Sequence, residues 1–163
     1  MHIIAENIVL ILSIQSRKNI MNTIENISLN KQIILFDGVC NFCNSSINFI
    51  IDHDLEKRFI FAPLQSEIGQ EILRKFNKNT EDFDSVFLLK NNTLYQKSEA
   101  ALEITKHLSG FWKYLAVFNI FPTSFLNFFY DIIAKNRYRF FGKADSCRIP
   151  TPELRERFLI ENS

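Results

Sequence analysis

At 163 residues, with 47% hydrophobic and 23% charged side chains, the chain is long enough for one domain with a real core and has the composition of an ordinary soluble globular protein. A formal net charge of +1 gives no global electrostatic footprint for nucleic acid, and no nucleic-acid partner is expected. Three cysteines in a chain this long exclude a disulfide framework and point to a reducing compartment, the cytoplasm.

Residues 1–30 fit a fold poorly and are expected to form a poorly structured lead-in. The apolar run at 8–12 is far short of the roughly 20 residues a membrane span needs. With Glu6 before it and Arg17 and Lys18 after it, it also lacks the basic start and small-residue cleavage site of a signal peptide. Met21 opens a polar stretch directly before the first strand, so the natural start is expected at Met21, with residues 1–20 an over-extended beginning.

Ile33, Ile34, Leu35 and Phe36 form a continuous apolar run that suits a strand covered on both faces. Asp37 and Gly38 break it, and from Cys40 the apolar residues Cys43, Ile47, Ile50 and Ile51 lay one stripe along a helix. Cys40 therefore stands at a helix N-terminus, where unpartnered first-turn N–H groups and the helix dipole favour a thiolate. Cysteines so placed, and those in Cys-X-X-Cys pairs, have pKa values lowered to roughly 3.5 to 7.5. Cys43, one turn deeper on the apolar face, is placed to attack a mixed disulfide formed at Cys40 and release the product. This reading presents Cys40 and holds Cys43 in reserve.

Two other readings of the pair compete with it. A zinc site needs two further ligands, yet Cys147, His2, His53 and His107 form no second cluster, and Asn44 stands where haem attachment needs His. An inert pair of small buried hydrophobes is the other alternative. No metal and no cofactor is expected. Asp37 has two readings as well: a turn residue bonding nearby backbone N–H groups, or an acceptor for the Cys43 proton during resolution. Its charge beside Cys40 would oppose the helix dipole.

Residues 59–62 read as a second strand closed by Pro63, and Ser66 as the N-cap of a helix with Ile68, Ile72, Leu73 and Phe76 on its inner stripe. Residues 86–89 predict a third strand, Asn91 and Asn92 a turn, and 94–97 a fourth strand completing a hairpin. Ser98 is expected to cap a third helix that Gly110 stops. His53 and His107 read as surface or helix-end residues.

Residues 111–141 hold 12 of the 22 aromatic side chains. Phe111, Leu115 and Phe118 predict a helix ended by Pro122, and Leu126, Phe129, Tyr130 and Ile133 a second one. The plain reading is a helical extension packed on the core. The sharper one is a membrane-surface or partner-binding face, with Lys135, Arg137, Arg139 and Lys143 as its basic residues, which equally suit the C-terminal end of their own helix. Thr151 as N-cap, Pro152 at the first helical position and Glu153 in the first turn predict a last helix docked by Leu154 and Phe158. Cys147 lies in the loop between, beside Arg148, either packing the loop or standing near the pair as a third thiol.

The segments FDGVCNFCNSSINFIIDHD, FIFAPLQSEIG and NRYRFFGKADSCRIPTPELRERF together resemble the DCC family, predicted thiol-disulfide oxidoreductases named for the Asp and two Cys that stand here at Asp37, Cys40 and Cys43. The resemblance covers roughly residues 33–158, includes Cys147, and implies a thioredoxin-like fold with dithiol-disulfide exchange. Strand-helix-strand-helix-hairpin-helix is also the element order of a thioredoxin or glutaredoxin core. One departure concerns the cis-proline that thioredoxin folds place before the third strand. Asp84 and Ser85 stand there instead, so that docking mode does not carry over.

The expectation is thus an α/β chain: lead-in 1–30, thioredoxin-like core 31–110, and helical extension 111–163. Catalysis falls to Cys40, Cys43 and Asp37, acting on a disulfide-containing protein or small thiol substrate and recycled by a reductant. The rival is a non-catalytic module in which the pair is structural and the aromatic extension carries the function.

Overall fold

The structure, a computed structural model, describes residues 2–81, 83–142 and 152–159. Strand β1 (Gln32–Phe36) is buried along its whole length. It pairs in parallel with β2 (Phe59–Pro63) and antiparallel with β3 (Phe87–Lys90), while β4 (Thr93–Gln96) adds antiparallel to β3, in the order β2-β1-β3-β4. The hairpin turns at Asn91 and Asn92 with φ of 48° and 59°, the left-handed pair that a tight two-residue turn demands and that Asn tolerates.

Side chains alternate across the sheet, so the continuous apolar run of β1 serves two cores. On one face Ile34 and Phe36 join Phe61 and Leu88 against Ile47 and Ile50 of α2 (Asn41–His53) and Ala100 and Ile104 of α4 (Lys97–Thr105). On the other, Ile33 and Leu35 join Phe87 and Leu89 against Ile24 of α1 (His2–Asn30) and Ile72 and Leu73 of α3 (Glu67–Lys75). The mixed α/β architecture is a thioredoxin-like one, as expected. Ser66 caps α3 by accepting from Gly69 N–H at 3.1 Å. Gly69 is required there, because a Cβ would lie 2.4 Å from the Pro63 carbonyl oxygen.

Four local expectations are corrected. The lead-in is helical rather than poorly structured: Ile20, Ile24 and Ile27 lie on one stripe of α1 that packs on the sheet, and Lys75 pairs with Glu25 at 2.9 Å. Ser98 does not cap α4. The helix starts at Lys97, whose φ is 55° and whose N–H is drawn to Val86 O, and the Ser98 hydroxyl donates instead to Asn127 at 2.6 Å. Gly110 does not stop that helix, which ends at Thr105, but opens the next element with φ 77°. That element, Gly110–Ile120, is a 3-10 helix rather than an α-helix. Its three-residue repeat brings Phe111, Tyr114, Val117 and Ile120 to one edge, all exposed.

Pro122 separates this edge from α5 (Thr123–Phe141), and α6 (Pro152–Arg155) is a short last helix. Beyond α6 the chain adds to the outer edge of β2. Phe61 N–H donates to Arg157 O at 2.7 Å and Leu159 N–H to Phe61 O at 2.8 Å, forming a parallel bridge that covers an otherwise open strand edge. Phe158 is docked as expected, its ring meeting those of Phe61 and Phe36. Arg157 pairs with buried Asp54, which also accepts from Arg58 and Phe59 N–H at the end of α2. The predicted Thr151 cap lies outside the described residues.

Candidate active site

Cys40 occupies the N-cap of α2, with extended backbone angles of φ −96° and ψ 120°. Its sulfur accepts from Cys43 N–H at 3.4 Å, the position normally filled by a Ser or Asp oxygen. Both cysteines are free thiols. Their exposure reverses the expectation that Cys40 is presented: Cys40 is fully buried, whereas Cys43 is half-buried. The Cys43 thiol is pushed up to about 12, first by burial and then by its hydrogen bond with Cys40 and the charge of that neighbour.

Asp37 closes β1 and is itself buried. One carboxylate oxygen accepts from Val39 N–H at 3.1 Å and from the Gln65 amide at 2.8 Å, which is the turn role read from the sequence. The other meets a group that role did not foresee, the Arg137 guanidinium at 3.0 Å. Arg137, one hundred positions away in α5, also reaches Asp84 at 2.9 Å and the Phe83 carbonyl at 2.9 Å. It is one of the four basic residues assigned above to a surface face, and that assignment is corrected: only 3% of its side chain is exposed. Lys135 and Arg139 are exposed, and Lys143 lies outside the described residues.

Two charges thus act on Cys43 in opposite directions. Arg137 lowers its pKa and Asp37 raises it, and the Arg137 effect is the larger. At Cys43, then, the buried guanidinium from the C-terminal helix outweighs the charge of Asp37.

The segment before β3, where a thioredoxin cis-proline would stand, is held differently. Among the described residues there is no cis peptide bond. Asp84 is tied to Arg137, and Val86 N–H donates to the Tyr130 hydroxyl at 2.9 Å, so α5 clamps this segment at two points. Periodicity carries a signal for these residues, since Leu126, Tyr130, Ile133 and Arg137 follow one helical stripe. An arginine on an apolar stripe marks a buried ion pair.

Asp37, Cys40 and Cys43 therefore converge, while Cys147 lies outside the described residues. His53 sits at the end of α2 against Phe49 and Trp112, and His107 beyond α4 near Lys90, both apart from the pair. No group of three or more His, Cys, Asp or Glu able to hold a metal is found among the described residues.

Comparison with known proteins gives the family. The Bacillus subtilis protein YuxK, described as uncharacterized, is 41% identical over 128 residues, covering 78% of this chain and 93% of that one. An Arabidopsis thaliana protein named as a chloroplastic DCC family protein is 42% identical over 120 residues, covering 73% of this chain and 70% of that one. No solved structure gives a significant match. The profile of the DCC1-like thiol-disulfide oxidoreductases matches residues 34–143, which span the cysteine pair, the clamped segment and α5 with Arg137. The chain belongs to this family.

Proposed function

We propose that the chain exchanges thiols and disulfides through Cys40 and Cys43, with Cys40 attacking and Cys43 resolving. The observation that supports this most is geometric: the Cys40 sulfur is the N-cap of α2 and accepts from the N–H of Cys43, one turn inside the same helix, at 3.4 Å. The Cys40 thiolate attacks a substrate disulfide, one Cys40–substrate S–S bond forms, and the first substrate sulfur leaves and takes up a proton. Cys43 then gives up its proton and attacks the Cys40 sulfur. The second substrate sulfur leaves as a thiol, and a Cys40–Cys43 disulfide remains. A dithiol or low-molecular-weight thiol returns the pair to the reduced state. The substrate class is a disulfide-containing protein or small molecule, and the chemistry runs between sulfurs without a cofactor.

In this reading Asp37 holds Arg137 in place and receives the Cys43 proton at resolution. Cys147 is a third thiol near the pair, and Cys147→Ala lowers exchange; full activity in that variant would make it a packing residue. A reducing compartment such as the cytoplasm suits a lone Cys-X-X-Cys pair. Among the described residues no helix is long and apolar enough to cross a membrane.

The deciding experiment is thiol labelling against pH. One thiol should react fast well below pH 8.5, and Cys40→Ser should abolish that reaction, while Cys43→Ser should trap substrates as mixed disulfides on Cys40. If both thiols label only after unfolding, the pair is structural.

A second surface is favoured by a separate observation. Phe125, Phe128, Phe129 and Ile132 of α5 are exposed beside the exposed edge of the 3-10 helix. Lys113, Lys135 and Arg139 are exposed on the same two elements, and their one acid, Asp131, is paired with Lys97 at 2.8 Å. Aromatic side chains with a basic fringe suit an anionic bilayer surface. Co-sedimentation with anionic but not neutral vesicles, lost in Phe125→Ser/Phe128→Ser, is the expected result; no difference between the two lipid surfaces would refute it.

A further inference from the structure

Between α2, α4, α5 and the sheet lies a cavity of about 480 Å³, with the Cys43 side chain on its wall. This volume exceeds what one side chain fills and falls in the range of small-molecule sites, about 300–1,000 Å³.

Its walls set the chemistry of an occupant. Ile34, Phe36, Ile47, Ile104 and Leu108 present carbon, and the charged residues on its wall are Asp37, Asp84 and Arg137. Those three charges are already engaged with one another. An ionic ligand would lose its hydration against carbon walls and gain no dedicated counter-charge, whereas a neutral apolar one loses little. Ser45 of α2, Asp84 before β3 and Ile133 of α5 line the cavity and are all exposed, so it is open to solvent. Ile133 belongs to the same helix as the exposed Phe125, Phe128 and Phe129, so the opening adjoins apolar surface.

We propose that this cavity is a binding site for a neutral, predominantly apolar small molecule, whose occupancy covers the Cys43 thiol. The proposal goes beyond the exchange reading and does not depend on it, because binding requires only the cavity walls.

The probe is Nile red, a neutral apolar dye, titrated into the reduced full-length protein and followed by its emission. Saturable one-to-one binding is expected. Ala134→Phe and Ala101→Phe, each filling the cavity from a different helix, should weaken it at least tenfold with the far-ultraviolet circular dichroism unchanged. Phe125→Ser/Phe128→Ser, which alters only the exposed face, should bind as the parent does. A measurement that leaves the cavity intact gives the second readout. In Cys40→Ser/Cys147→Ser, saturating dye should slow maleimide labelling of Cys43 at least tenfold. Unchanged labelling overturns the proposal, as does affinity that follows the surface variant, or folded filled variants that bind like the parent. Neither readout asks whether the pair exchanges disulfides, so failure here and failure of the exchange reading are distinguishable.

Discussion

Replacing Arg137 with Met tests the organisation of the site most directly. The guanidinium is 3% exposed and the Asp37 side chain 1%, so the substitution strands a carboxylate where water cannot solvate it. Removing one partner of a buried pair costs about 3–5 kcal/mol. For a chain of this size that corresponds to a fall in Tm of roughly 6–20 °C. Asp37→Asn should cost less, about 1–3 kcal/mol, because Asn keeps a hydrogen-bonding group and Arg137 retains Asp84 at 2.9 Å. It should therefore leave the protein folded.

Urea unfolding of the reduced parent, both single variants and the double variant completes a thermodynamic cycle. The double variant should lose at least about 2 kcal/mol less than the two singles together, a coupling within the range found for residues of one charge network. Thiol titration supplies an independent sign: Cys43 should move further up in Arg137→Met, which removes the cation, and down in Asp37→Asn, which removes the anion. A loss below about 1 kcal/mol for Arg137→Met, or single effects that add within about 0.5 kcal/mol, would show that the pair does not organise the site.

Other expectations follow from the same geometry. Cys43 holds its proton in the folded state up to about 12 against 9.0 unperturbed, so its contribution is whole below pH 9 and is lost as pH rises from there, about 4 kcal/mol in all. Denaturation of the reduced protein at pH 8 and 10.5 should thus show a drop about 2 kcal/mol smaller in Cys43→Ala than in the parent, and equal drops would contradict the raised thiol. His107 is held below its ordinary value, first by burial and then by Lys90, so stability is lost as pH falls below 6.5; His107→Gln should flatten that limb of the profile, and an unaltered limb would contradict it. Phe158→Ala removes a buried ring from Phe36 and Phe61 and should cost about 3–5 kcal/mol by urea unfolding, a value under 1 kcal/mol meaning that the C-terminal bridge is not part of the core. Gly69→Ala should lower stability by about 1–3 kcal/mol despite the better helix propensity of Ala, because its Cβ meets the Pro63 carbonyl; a neutral or stabilising result would show that α3 yields.

What was legible in the sequence was local. The run of β1, the Ser66 cap and the Asn91–Asn92 hairpin each follow from a few neighbouring residues, and all three stand in the structure. The misreadings share a different cause. Ser98 is a competent cap residue, but a tertiary partner, Asn127, took its hydroxyl. The stretch from Met21 read as a polar lead-in, yet Ile20, Ile24 and Ile27 at helical spacing were enough once the sheet offered a face to cover. The placement of Cys40 at a helix start was readable, but its burial was not, since burial depends on what the rest of the chain brings over it.

Arg137 shows where such reading runs out. As one of several basic residues near a helix end it suits solvent, and only the partnership with Asp37, one hundred residues earlier, gives it a buried role. The same contact bears on how much of the chain makes the site. Asp37 alone would oppose a thiolate on Cys43, and the larger opposing influence comes from Arg137. Arg137 and Tyr130 also fasten the segment before β3, beside which the cavity opens. The strand-turn-helix that carries the cysteines is therefore incomplete without α5. A shortened chain ending at residue 110 would keep both sulfurs but leave Asp37 without the guanidinium and the cavity without one of its walls.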